Sequence, residues 1–225
     1  MATAVVDEAR RDRAGASILA CVAGEGSASH PWFASESLLS GSGAARNLAD
    51  AVHLLCTLHG RHPGVLDLAA TQCADEHSRG FLAAAAEAFA DERHYLARLA
   101  VAVGPVPGTP GALASEAAVR GQQVALAALG RSERNGCALG AALALVADWD
   151  RIRKVLDSAA CRVGLDVPVS RLPTPLQVRA AADLAAASPG VERAIGFGAQ
   201  QMMAQHRGLW DLLEARHLAR EPRRA

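Results

Sequence analysis

The residues of this chain whose types and spacing could do chemistry are carboxylates and histidines on helical stretches. Glu214-Ala-Arg-His217 spells Glu-x-x-His, and at i, i+3 both side chains leave one helix face, so each can reach the same metal ion. His206, Trp210, Glu214 and His217 follow one another along a single helical stripe. Glu92 interrupts an apolar seam in which Leu82, Phe89, Leu96 and Val103 recur at heptad spacing, with Ala85 and Leu99 on the companion positions. A carboxylate there must be neutralised, paired or metal-bound, because burying it alone is costly. Glu133 stands on the same side as the small residues Gly136, Cys137, Ala138, Gly140, Ala141 and Ala142. Glu92, Glu133, His206, Glu214 and His217 are therefore the candidate metal ligands, and Met202, Leu209 and Trp210 the candidate pocket wall. Carboxylates with imidazoles suit iron or manganese that keeps positions open for oxygen.

Each of these residues also has a structural reading. Glu92 can pair with an arginine such as Arg120 or Arg151, and Glu133 can be a first-turn acid behind a Ser132 cap. Glu214 and His217 fit the last turn of a helix, His206 fits a satisfied core histidine, and Met202-Met203 fits adaptable packing. Asp50 with His53 and Asp91 with His94 have ligand-like spacing, but their neighbours are polar, which predicts solvated faces.

The elements that must position these groups are all helical. The chain has 225 residues, 51% of them hydrophobic and mostly alanine, with only 4% aromatic, a composition that favours closely packed helices over a sheet. Residues 1–43 read as an N-terminal extension and cover: a charged start over 1–15, a short helix over 16–23, then a Gly/Ser-rich loop over 24–43 anchored by Trp32 and Phe33. Residues 44–219 read as one helical domain, and 220–225 as a mobile basic tail. Within the domain, Leu48, Val52 and Leu55 set the inner face of a helix over 44–60, with His59 nearer the apolar side. A second helix spans 65–103 with a kink near Ser78-Arg79-Gly80, and a third begins near Ala112 and ends or kinks at Gly130. The stretch Arg131–Asp157 reads as one continuous helix whose glycines admit close neighbours. A crossover over 161–175 precedes a short helix over 176–187 and a last helix over 191–218.

The architecture and the Glu-x-x-His motif together resemble the ferritin-like di-iron and di-manganese bundles, in which two helices give a Glu each and two give Glu-x-x-His. The second Glu-x-x-His is absent, since Tyr95 follows Glu92 at i+3. The resemblance implies an all-α, antiparallel helical bundle of ferritin-like type, with a long N-terminal loop and a crossover between helices. It implies iron or manganese as cofactor, and oxidase or oxygenase chemistry on an apolar small-molecule substrate. The alternative is a metal-free helical bundle, as a homodimer, that binds a partner or regulates.

Other classes are excluded by what is missing. No phosphate-binding glycine loop, G-x-S-x-G or H-E-x-x-H occurs. A formal net charge of +0 without a basic stripe argues against nucleic acid, and no apolar run is long enough to span a membrane. Five cysteines at irregular spacing, with no convincing signal peptide, predict a reducing, cytoplasmic setting.

Overall fold

The computed structural model describes the backbone of residues 2–73 and 75–221, and side chains from residue 13 onward. Among the described residues there are helices and turns and no strand. Helix α1 is Ala2–Glu25. Two 3-10 turns and the short α2, Glu36–Leu39, carry the chain to α3, Ala44–His59. Then come α4, Val65–Gln72; α5, Glu76–Ala102; α6, Ala112–Gly130; α7, Cys137–Val163; α8, Pro175–Ala185; and α9, Pro189–Arg220. No helix among the described residues is long and apolar enough to cross a membrane.

Local chemistry explains the boundaries. The Asp75 carboxylate accepts the Ser78 N–H and starts α5, so the break after α4 falls at 73–75 rather than at the expected Ser78–Gly80. Thr174 and Gln177 form a capping box ahead of α8 with Pro175 at its first position, and Ser188 caps α9 ahead of Pro189. These caps move both helices a residue or two N-terminal of their expected starts. The charged start belongs to α1 from Ala2 onward. The end of the expected tail, 222–225, lies outside the described residues.

Helix α7 sits at the centre and packs against α1, α3, α4, α5, α6, α8 and α9. Its crossing with α9 is the tightest that glycines mark among the described residues. A Cβ on Gly140 would overlap the Ile195 carbonyl, and one on Gly198 would overlap the Cys137 carbonyl, so both helices need a bare backbone there. Gly136 plays a different part from the expected one. Its φ of +94° places it in the left-handed region at the N-cap, and α7 begins only at Cys137. Residues 131–136 are thus a turn, and Glu133 is exposed on it rather than in a helix.

Trp32 and Phe33 are buried against α9, Phe33 meeting the Trp210 ring edge-on at a centroid distance of 5.0 Å. His30 fixes that turn: Nδ1 accepts the Trp32 N–H, and Nε2 faces Asp211 at 3.0 Å.

Candidate functional site

Three acids are fully buried among the described residues: Asp50, Glu92 and Asp148. Each must find partners inside the protein, and the three solve that problem differently.

Glu92 is neutralised by Arg153, not by Arg120 or Arg151. Arg153 Nη1 lies 2.9 Å from both Glu92 oxygens, while the Trp149 indole N–H and the Ser170 hydroxyl donate to the same carboxylate at 3.0 and 2.7 Å. Arg153 also donates to Asp157 and to the Pro168 carbonyl, and its guanidinium lies 4.6 Å from the Tyr95 ring centroid. Although burial works against the charged form, the bonds and charge of Glu92, then Asp157, raise the Arg153 pKa. The network holds the crossover after α7 against α5 and α7. Its lone pairs are spent on the protein, which leaves Glu92 little to offer a metal.

Asp50 was expected on a solvated strip with His53; instead it is buried. Arg216 donates to it at 2.7 Å and Arg220 forms a second ion pair with it, so the C-terminal turns of α9 are locked onto α3. His53 is half-buried and faces the Gly104 carbonyl.

Asp148 has no arginine. The Ser27 N–H and hydroxyl donate to it at 3.0 and 2.5 Å, and His206 Nδ1 lies 2.6 Å from Oδ2. The other nitrogen of His206, Nε2, faces His59 Nε2 at 3.0 Å. Ser27, Asp148 and His206 are 0% exposed and His59 is 5%. The two imidazole centroids are 5.1 Å apart, close to the sum of the nitrogen contact and two ring radii. The lone-pair axes therefore point at each other, which is the geometry of one shared proton. His59 is packed edge-on against Trp149 and Phe89. Burial, reinforced by the neighbouring His206 ring, holds the His59 pKa well below its ordinary value of 6.5.

Among the described residues the only hydrogen bond of the His59 ring is the one at Nε2, and His59 lines a cavity of about 40 Å³ between α3, α4, α5 and α6. That is room for a water or two, or for the end of a small molecule. The four residues thus form a line, Ser27–Asp148–His206–His59, from the buried interior to this cavity.

Of the candidate ligands, only His206 belongs to this line. Glu92 is in the Arg153 network, on the far side of Trp149. Glu133 is exposed beside a separate cleft of about 510 Å³. Glu214 is half-buried, and His217 meets Asn47 at 3.2 Å beside the Trp32 ring. The five do not come together, and no group of three or more His, Cys, Asp or Glu able to hold a metal ion occurs among the described residues. Met202, Leu209 and Trp210 are 0% exposed and belong to the hydrophobic core. Asp91 and His94 are exposed, as their neighbours imply. The residues missed from sequence are Ser27, His59 and Asp148; only Asp148 carried a signal, its place between Leu145 and Ile152 on the apolar side of α7.

The neutral state of His59 has a consequence for stability. Its folded pKa lies below the unfolded value, so the unfolded chain takes up a proton first as pH falls. The contribution is present above pH 6.5 and is lost as pH drops from there towards the folded pKa. Unfolding free energies from urea titrations taken from neutral pH downward should fall by up to about 1.4 kcal/mol per pH unit from this group. His59→Leu should flatten that slope; an unchanged slope would assign the acid sensitivity elsewhere.

These features define a class: an all-helical protein with a carboxylate-backed histidine pair at its centre. The chain belongs to DUF6975, a family of unknown function, whose model matches residues 22–221. The match begins just ahead of Ser27 and takes in all four residues of the line. No curated protein and no solved structure matches the chain.

Proposed function

We propose that this protein is an acid–base catalyst in which His59 exchanges protons with a small molecule at the cavity, backed by His206 and Asp148. The observation that carries the reading is the contrast among the buried acids. Asp50 and Glu92 are matched by arginines, which hold their charge permanently. Asp148 is matched by a titratable imidazole. Arginine suits a fixed strut, whereas imidazole suits a charge that comes and goes.

The cycle balances as follows. In the resting state His206 Nδ1–H donates to Asp148, and His59 Nε2–H donates to His206 Nε2. Nδ1 of His59 then carries a bare lone pair towards the cavity. A proton lost by a water or substrate group binds there, and the His59 Nε2 proton passes to His206. The positive charge comes to rest on His206, against the Asp148 carboxylate, and His59 stays neutral between Phe89 and Trp149. The reverse transfer returns the proton. Positioned bases of this kind contribute on the order of 10²–10⁴ in rate.

The test is the titration of the two imidazoles, followed by NMR of histidine-labelled protein. In the parent chain His59 and His206 should take up one proton as a unit, and Asp148→Asn should lower their shared proton affinity. Titration curves that Asp148→Asn leaves unmoved would defeat the proposal. Metal analysis tests the ferritin-like expectation on the same protein: one equivalent of iron or manganese, lost on both Glu92→Gln and His206→Gln, would replace the relay with a metal centre.

A further inference from the structure

The cavity in front of His59 carries information about the molecule that enters it. Besides His59 it is lined by Arg61, Gly64, Phe89, Arg93 and Gln123. Two of these are cations, and their counter-charges differ. Arg93 is held by Asp67, with Nη1 to Oδ2 at 3.0 Å and Nη2 to Oδ1 at 3.3 Å. Asp67 is fully used, because Oδ2 also accepts the Gly64 N–H at 2.8 Å and faces His62 at 3.4 Å. Arg61 has no carboxylate within ion-pair distance among the described residues. Gln123 is engaged by the Thr57 carbonyl at 3.1 Å.

One small volume is therefore lined by an imidazole bonded only through Nε2 and by an arginine without a carboxylate partner among the described residues. The complement of an acceptor beside a cation is a donor beside an anion. The geometry points to a protonated oxyanion as the ligand: an anion that carries its own O–H, of the size of hydrogencarbonate or of a carboxylate with a hydroxyl on the adjacent carbon. The anionic oxygens face Arg61 and the O–H meets His59 Nδ1. The volume of about 40 Å³ admits this group and leaves the rest of a larger molecule outside. Charge-assisted bonds to guanidinium are the stronger kind and favour two oxygens presented together.

This inference rests on the proposed proton exchange for its catalytic meaning, but its binding claim can be tested separately. Glycolate carries both a carboxylate and a hydroxyl; acetate has the same charge and no hydroxyl. Glycolate should shift the His59 ring resonances saturably, and acetate should bind about tenfold more weakly or worse. Arg61→Gln, an exposed substitution, should weaken glycolate by about tenfold as well. Arg98→Gln, exposed on α5 and outside the cavity, should leave the binding as it is. Equal shifts from glycolate, acetate and chloride at matched ionic strength would overturn the proposal, as would glycolate binding indifferent to Arg61→Gln. The two failures separate cleanly. If Asp148→Asn leaves the imidazole titration unmoved while glycolate still binds through Arg61, the relay falls and the oxyanion pocket stands. If the titration moves and glycolate shows no Arg61-dependent effect, the relay stands and the pocket falls.

Discussion

Arg153→Leu should be the most damaging charge substitution in the molecule, costing about 3–5 kcal/mol, because it leaves a buried carboxylate without its cation. Glu92 would keep the Trp149 and Ser170 donors but lose the guanidinium bonded to both of its oxygens. The Pro168 carbonyl would lose its donor too, so the crossover should loosen along with the core. Against a total stability of about 5–15 kcal/mol for an ordinary domain, such a loss unfolds a large share of the protein. The urea midpoint measures it. The companion variant is Glu92→Leu/Arg153→Leu, which removes both charges. Replacing a buried pair with apolar groups is often near neutral, so the double variant should recover most of what the single one loses. A loss below about 1 kcal/mol for Arg153→Leu would mean that water reaches Glu92 readily.

Gly140→Val should be comparably severe for a steric reason. Its first carbon meets the Ile195 backbone, which cannot rotate away as a side chain could. The same holds in reverse at Gly198 against Cys137. Helices α7 and α9 would have to separate, opening gaps beside Met202, Leu209 and the other core residues of their shared face. Overpacking costs about 1–3 kcal/mol where neighbours can adjust, and a rigid neighbour puts this case at or above the upper end. His206 rides on α9 and Asp148 on α7, so the substitution should also break their 2.6 Å contact. Thermal unfolding and the His206 imidazole resonances report the two effects. A folded Gly140→Val chain with native imidazole shifts would contradict the close crossing.

The helices themselves were legible because their apolar periodicity is strong: Leu48, Val52 and Leu55 on α3, and Leu82, Phe89 and Leu96 on α5, are all buried as their spacing implies. The burial of Glu92 followed from the same seam. Its partner did not, since Arg153 lies 61 positions away and which arginine arrives depends on how α5 and α7 align. Gly136 was misread because glycine serves equally for a close crossing within a helix and for a left-handed entry to one; only the dihedral tells them apart. Asp50 was misread because its polar neighbours suggested water, whereas the last turns of α9, expected to be surface, bring Arg216 and Arg220 onto it. The histidine pair joins positions 59 and 206, and no local pattern announces such a contact. Asp148 was the readable clue: an acid on an apolar face, as exceptional as Glu92.

The central position of α7 bears on how the molecule comes apart. Its neighbours α1, α3, α4, α5, α6, α8 and α9 each rest on it, so it cannot be exposed to solvent until they have left. Amide hydrogens in the middle of α7 should then exchange only through global opening, and their exchange rates should report the full unfolding free energy. Helices α6 and α8, which turn exposed faces to solvent with Val124 at 70% and Leu184 at 70%, should open in smaller excursions. On the proposed reading, proton exchange at His59 needs neither kind of opening, because the residue already lines its cavity while the amides around it remain locked.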